Sequence, residues 1–350
     1  MKQGSGVGGQ RSGERPGTGI TRPDLPPLIS RSSIPSPDPR SPIPDPCLGV
    51  IGTPVWDRLW AWENDRLAAE PVEGWGGITY SLAALAAAVR PPWRVVPLLK
   101  LGADRARQAR RFLESVPLEL GAGVRVVDER MNHVELRYQD PARRVERLSG
   151  GVSPWTWSEL APLLGGLDAL YINFVSGYEM ELPTLERLRA AFPGPIYADL
   201  HSLLLGREPD GTRVPRSLPE WRRWVRCLDV VQLNEDELAV LTGEELQMAT
   251  VAGKILKAGP GVVLVTRGAE GASFATTPAG ADTGFFDVPL PDGAAAGDPT
   301  GCGDVWGATC CARLLSGASI EVAIEEAHRA ARRKLAHTGG AEGLYEWLRG

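Results

Sequence analysis

The sequence predicts an α/β protein: a central, mostly parallel sheet with helices on both faces and a small β element set apart from it. Two observations carry this. From residue 47 onward short apolar runs alternate with stretches at helical spacing, the pattern of strand, helix, strand that builds a parallel sheet. Between residues 123 and 150 that rhythm breaks into extended pieces joined by polar turns (VRVVDE, HVELRYQ, RRVERLSG), which suits strands outside the main sheet and predicts a small β lid.

Residues 1–46 hold ten prolines, seven glycines and seven serines, too few large apolar groups to offset chain entropy, and are expected to be a disordered tail. One folded domain is expected over 47–345, with 123–150 as the lid within it. The candidate strands are 48–51, 94–99, 169–174, 196–200, 230–233, 262–266 and 272–276. Amphipathic stretches at 81–89, 105–115, 184–191 and 236–242 are the candidate helices.

Charge and composition narrow the function classes. The net charge is -5; removing the tail's six basic and four acidic residues leaves 32 Lys+Arg against 39 Asp+Glu. A mildly acidic chain without basic clusters offers no electrostatic reason to expect nucleic acid or an anionic membrane. Five cysteines form no CxxC pair and four histidines lie far apart, which argues against a structural zinc site or a disulfide framework. Apolar runs such as 82–89 are far short of a membrane span, and the N-terminus lacks the apolar core of a signal peptide, so the expected location is the cytoplasm.

The most specific segment is GDPTGCGDVWGATCCARLLSG, Gly297 to Gly317. Pro299 pushes Asp298 to an extended conformation, two glycines flank Cys302, and a small-residue helical pattern runs to Leu315 before Gly317 stops it. The open amides of such a helix start, at the positive end of its dipole, favour an anion. Asp304, in the first turn, would sit beside that anion. A second segment, VVQLNEDELAVLTG, runs a strand into Asn234, a natural N-cap, with Glu237 three residues on to complete a capping box. A third, VVLVTRGAEGASFAT, reads as a hairpin with a glycine-bearing turn.

Taken together these strings resemble the ribokinase-like (PfkB) carbohydrate and nucleoside kinases. DPTGCGD is similar to that family's D-T-T-G-A-G-D signature, N-E-D-E to its N-x-x-E motif, and TRGAEG to its T-x-G-x-x-G segment. The resemblance implies an ATP- and Mg²⁺-dependent phosphotransferase acting on a hydroxyl of a sugar or nucleoside. Asp304 would be the general base, and the Gly301, Cys302 and Gly303 amides the anion hole. Asn234 and Glu237 would help hold Mg²⁺, and Thr266, Gly268, Gly271, Asn234 and Thr300 would meet the nucleotide. The substrate would be held by Asp57, Gly76, Gly77 and Asp298. Dimerisation through the lid is also implied.

This chain departs from the family where many members read G-G-x-x-x-N: Ser81 stands in place of the Asn. Asp199 and His201 take the place of a D-x-N strand end. No G-x-x-x-x-G-K-[ST] string occurs, so any ATP is cradled without a P-loop. The competing reading from another class is a non-catalytic sugar or nucleoside sensor, which would need neither Asp304 nor Glu237. A dinucleotide-dependent oxidoreductase is disfavoured, because GVIGTPVWDRLW lacks G-x-G-x-x-G.

Overall fold

A computed structural model of the protein describes residues 45–60, 62–63, 66–139, 144–244, 247–277, 283–291, 293 and 295–350. The expected tail falls outside the described residues, except for Asp45 and Pro46. Among the described residues, no helix is long and apolar enough to cross a membrane.

Among the described residues the main sheet has nine strands. In chain order they are β1 (Cys47–Ile51), β4 (Arg94–Gly102), β5 (Val124–Val127), β8 (Ala169–Asn173), β9 (Ile196–Asp199), β10 (Val230–Asn234), β11 (Val262–Thr266), β12 (Ala272–Thr276) and β13 (Gly284–Val288). Their spatial order is β13-β12-β11-β10-β9-β8-β1-β4-β5. Every pair from β11 to β5 is parallel, whereas β12 and β13 close one edge antiparallel.

Helices cover both faces, as expected. One apolar core lies under α1 (Ile78–Ala88), α2 (Ala106–Glu114), α6 (Cys302–Leu315) and α7 (Ile320–Leu335). The other lies under α3 (Leu182–Ala191), α4 (Glu235–Leu241) and α5 (Met248–Ala258). α1 shows why local sequence suffices: ITYSLAALAAA is rich in strong helix formers and apolar on nearly all sides, and it is buried on nearly all sides. A last helix, α8 (Leu344–Arg349), packs against α1.

A second sheet has the order β3-β2-β6-β7, built from β2 (Pro54–Trp60), β3 (Val72–Gly77), β6 (Asn132–Tyr138) and β7 (Arg144–Ser149). The expected β element is therefore real, but its bounds need correcting at both ends. Residues 124–127 pair in parallel with β4 as an edge strand of the main sheet, and half of the small sheet comes from residues 54–77.

A partly buried ion pair joins β4 to the short helix at Trp157–Leu160. Lys100 on β4, 3% exposed, donates to the Pro154 carbonyl at 3.0 Å and meets Glu159 at 2.8 Å; Glu159 also caps Thr156. Burial pulls the Glu159 carboxyl upward, but the hydrogen bonds from Lys100 and Thr156, with the Lys100 charge, outweigh this and hold it at about 2. A carboxyl depressed below its unfolded value, about 4.3, stabilises the fold above that value and loses the contribution as pH falls through about 2. At neutral pH we expect roughly 1–3 kcal/mol from this group, discounted for its partial exposure. Urea unfolding of wild type and Glu159→Gln should differ by that amount at pH 6 and converge towards pH 2.5; a difference that ignores pH overturns the assignment.

Candidate active site

The C-terminal ends of the parallel strands all point to one side of the sheet, the position where open α/β sheets take ligands. There β8 delivers Asn173, β9 Asp199, β10 Asn234 and β11 Thr266, while α6 presents its N-terminus across the strand ends. Two cavities open at this edge. The first, about 200 Å³, is lined by Asp57, Gly77, Tyr80, His201, Glu237 and Asp304, with Arg144 and Glu146 contributed by the small sheet. The second, about 340 Å³, has Thr266, Gly268, Gly271, Cys302 and Gly303 at one end and Leu290, Ala295, Ala331 and Leu335 elsewhere in its lining. Thr266, Pro299 and Gly303 line both, so the cavities abut at the start of α6.

The loop before α6 has the form that the glycines predict. Gly301 is the N-cap at φ 79, no side chain caps the helix, and the Val305 amide donates to the Gly301 carbonyl at 3.0 Å. A Cβ on Gly301 would lie 2.7 Å from the Tyr80 ring, so the left-handed turn and the close packing both require glycine. One expectation is corrected here. The Cys302 amide donates to the Pro299 carbonyl at 3.1 Å, closing the turn, which leaves Gly301 and Gly303 as the amides of the proposed anion hole without a backbone acceptor. Burial pushes the Cys302 thiol up to about 12, so it is no nucleophile.

Asp304 sits in the first turn of α6 with its carboxylate in the first cavity. Asn173 Nδ2 donates to its Oδ1 at 2.7 Å, fixing the carboxyl. Burial raises its pKa, against the opposing pull of the His201 charge and the Asn173 hydrogen bond. Asn173 escaped the sequence reading. A polar residue closing an otherwise apolar strand was the available signal.

Asp57 lies on β2, the strand that follows β1, and it lines the first cavity. Burial, with Glu146 nearby, pushes it well above the usual carboxylate range. Gly76 is where the chain makes room: a Cβ there would meet the Asp57 carboxyl at 1.7 Å. Gly77 lines the cavity and precedes α1 at φ 62.

Asp298 does not line the first cavity, contrary to the expectation that it holds substrate. Its Oδ1 accepts from the Thr300 amide at 3.0 Å and its Oδ2 from the Gly339 amide at 3.3 Å. Thr300 lines the first cavity, and its hydroxyl is buried without a partner among the described residues. Arg267 is tied to Asp287 at 2.9 Å and to Glu270, so it is not a phosphate ligand in this arrangement.

The capping box expected at β10–α4 is present: the Glu237 amide donates to Asn234 Oδ1 at 2.8 Å, and the Asn234 amide to Glu237 Oε2 at 2.8 Å. Asn234 Oδ1 keeps a second acceptor position, so the capping bond does not remove it from the candidates for a cation. Ligand atoms of Asp199, His201 and Glu237 lie within 4.8 Å of one another. Burial lowers the His201 pKa, but the Glu237 hydrogen bond and the surrounding carboxylates lift it to about 10, so the imidazole answers their charge. Burial and the Glu237 charge together push Asp199 well above the usual range. Gln232 braces the set, donating to Asp199 at 2.8 Å and to the Gly303 carbonyl at 3.4 Å.

Comparison with known proteins agrees with this architecture. The model of the pfkB family carbohydrate kinases matches residues 207–347, which include the Asn234, Thr266 and Asp304 segments. No curated protein matches the chain by sequence. Among solved structures, a pyrophosphate-dependent kinase of the ribokinase family in complex with sulfate is 20% identical, with 86% of this chain and 98% of that chain covered at a TM-score of 0.67. Arabidopsis thaliana ribokinase complexed with ribose and ATP is 17% identical over 88% of this chain and 100% of that chain, TM-score 0.63. Burkholderia thailandensis nucleoside kinase in complex with inosine is 18% identical over 84% and 92%, TM-score 0.65. The chain is thus ribokinase-like in fold, and PfkB-like in sequence over residues 207–347.

Proposed function

We propose that the protein is a phosphotransferase that moves the terminal phosphoryl group of ATP onto a hydroxyl of a sugar, polyol or nucleoside. The observation that carries this reading is the meeting of two cavities at Gly303, with an oriented carboxylate on one side and open amides at the junction. Phosphoryl transfer asks for positioning and charge stabilisation more than for covalent help. In the first cavity Asp304 takes the proton of the acceptor hydroxyl as its oxygen attacks the γ-phosphorus and the bond from that phosphorus to the β,γ-bridging oxygen breaks, releasing ADP. The amides of Gly301 and Gly303 bear the charge gathering on the transferred group, each such donor typically worth about 10²–10³ in rate.

The second cavity supports a nucleotide as donor, because its lining combines the glycine-bearing Thr266–Gly271 turn with apolar side chains such as Leu290, Ala331 and Leu335 suited to a base, and with His328, Arg329 and Arg332 as polar groups. Glu237 and Asp199 are the groups that would hold Mg²⁺, which when bound neutralises charge on the donor phosphates. The first cavity carries Asp57, Glu146, Asp199, Glu237 and Asp304 against Arg144 and His201. That balance favours a neutral polyhydroxylated acceptor over a phosphorylated one.

The test is a donor and acceptor panel. Purified protein with Mg²⁺ and either ATP or pyrophosphate is offered neutral sugars, polyols, nucleosides and sugar phosphates, and products are read by mass spectrometry. Turnover with ATP and a neutral acceptor is expected. Binding across the panel without turnover would instead identify a sensor, and turnover with pyrophosphate alone would reassign the donor cavity.

A further inference from the structure

Between α1, α6, α7 and the end of α8 lies a third cavity, of about 250 Å³, that the phosphoryl-transfer reading does not use. It has no lining residue in common with the first cavity and one, Arg329, in common with the second. The helices bring alanines together there: Ala84, Ala87 and Ala88 from α1 and Ala330 from α7, methyl groups too short to fill the space between them. Against this apolar surface stand three guanidinium groups and one carboxylate. Arg313 comes from the last turn of α6, and Arg329, Arg333 and Glu326 come from α7.

These arginines keep donor capacity in hand. Arg313 is ion-paired with Glu326, but its Nη1 is buried and has no hydrogen-bond partner among the described residues. A guanidinium offers five N–H donors, and native folds leave a buried one empty only where water or a ligand meets it. Arg333 donates from Nη1 to the Leu348 carbonyl at 2.7 Å, a neutral acceptor that leaves its charge unanswered. Arg329 reaches Glu325 at 3.5 Å, and both side chains are half exposed, so that contact holds it loosely. Three positive charges thus meet two negative ones, and a single anionic group closes the balance.

We propose that this cavity is an effector site for a small metabolite that carries one carboxylate or phosphate group on an apolar body. The anionic group meets Arg313 Nη1 and Arg333, whose forked donors suit paired oxygens, and the body lies on the alanines. Arg329 couples the site to the donor cavity, because it lines both. Drawn towards an anion in the third cavity, it leaves less positive charge for the donor phosphates. The two ligands therefore bind antagonistically, and linkage makes the effect equal in both directions. The coupling rests on the phosphotransferase reading, whereas the anion site does not.

Calorimetric titration with phenyl phosphate and with phenylacetate tests the site and distinguishes the two anionic groups. At least one should bind wild type, and Arg313→Gln and Arg333→Gln should each weaken it at least about tenfold, the scale of one lost charge-assisted hydrogen bond. Inorganic phosphate, which lacks the apolar body, should bind more weakly than phenyl phosphate. Binding at the amides before α6 would be the same in wild type and both variants. Should Arg313→Gln not fold with Glu326 left unpaired, Arg313→Gln combined with Glu326→Gln takes its place. Failure of both aromatic probes to bind, or binding that both variants retain, overturns the site, and equal affinity for the two phosphates overturns the role of the alanines. In a second arm, the bound probe should raise the Kd of ATP about fivefold or more in wild type but not in Arg313→Gln. An unchanged Kd, or a rise that persists in Arg313→Gln and so marks direct competition, overturns the coupling. If wild type does not bind ATP at all, the nucleotide-donor reading fails, and the probe titrations still decide the anion site.

Discussion

Replacing Asp304 with Asn should lower kcat by about 10²–10⁴ while leaving the KM of both substrates near wild type, the signature of a lost general base. Asn keeps the shape of the side chain, and its carbonyl can still accept from Asn173 Nδ2, which in wild type lies 2.7 Å from the carboxylate. The pH profile offers a second check. Because burial raises the Asp304 pKa, wild-type kcat/KM should climb as pH passes through a value above the ordinary carboxylate range, with the deprotonated form active. In Asp304→Asn that limb should disappear. Steady-state kinetics between pH 4 and 8 make the comparison, and a variant that retains wild-type kcat would remove Asp304 from the chemistry.

Gly301→Ala should be nearly as damaging by a different route. At φ 79 an alanine costs about 1–2 kcal/mol in backbone strain, and its methyl would enter the Tyr80 ring at 2.7 Å. Tyr80 is 2% exposed and has nowhere to retreat, so the loop must move instead. The expected result is a fall in melting temperature together with a loss of about 10²-fold in kcat, as the anion-hole amides shift. Gly303→Ala is the matched control. A Cβ at Gly303 meets nothing within 4 Å, so its melting temperature should stay near wild type. Equal melting temperatures for the two variants would show that the Gly301 packing is dispensable.

Much of the main sheet was legible because its signals are local. The strands at 169–173, 230–234 and 262–266 are apolar runs with turn residues at their ends, and α6 announces itself from the Gly297 loop to the Gly317 stop. What escaped depends on partners far away in the chain. β2 and β3 read as irregular sequence because tryptophans, glycines and charges interrupt them, and β2 finds its other partner, β6, more than 70 residues on. Val124–Val127 has four residues and one neighbour, β4, too little pattern to tell a main-sheet edge from a lid strand.

The same division holds at the site. Asp304, Gly301, Asn234 and Thr266 carry motif signals, whereas Asn173, Gln232 and Lys334 are single polar residues in apolar surroundings. Lys334 left a trace: it continues the stripe of Ile320, Ala323, Ile324 and Ala327, where a surface lysine has no place. Asp298 was misplaced because its motif gives its position in the loop but not its direction, which is set by the Gly339 amide and Lys334.

The two cavities have only Thr266, Pro299 and Gly303 in common. Early segments, β2, β3 and the β6–β7 hairpin, supply part of the wall of the first, with the strand ends and the start of α6 supplying the rest, whereas the second is lined by the last third of the chain alone. Drift in the early segments can therefore exchange one molecular target for another while the phosphate-handling apparatus stays untouched. A protein so arranged can acquire a new metabolic role by rewriting its first half alone.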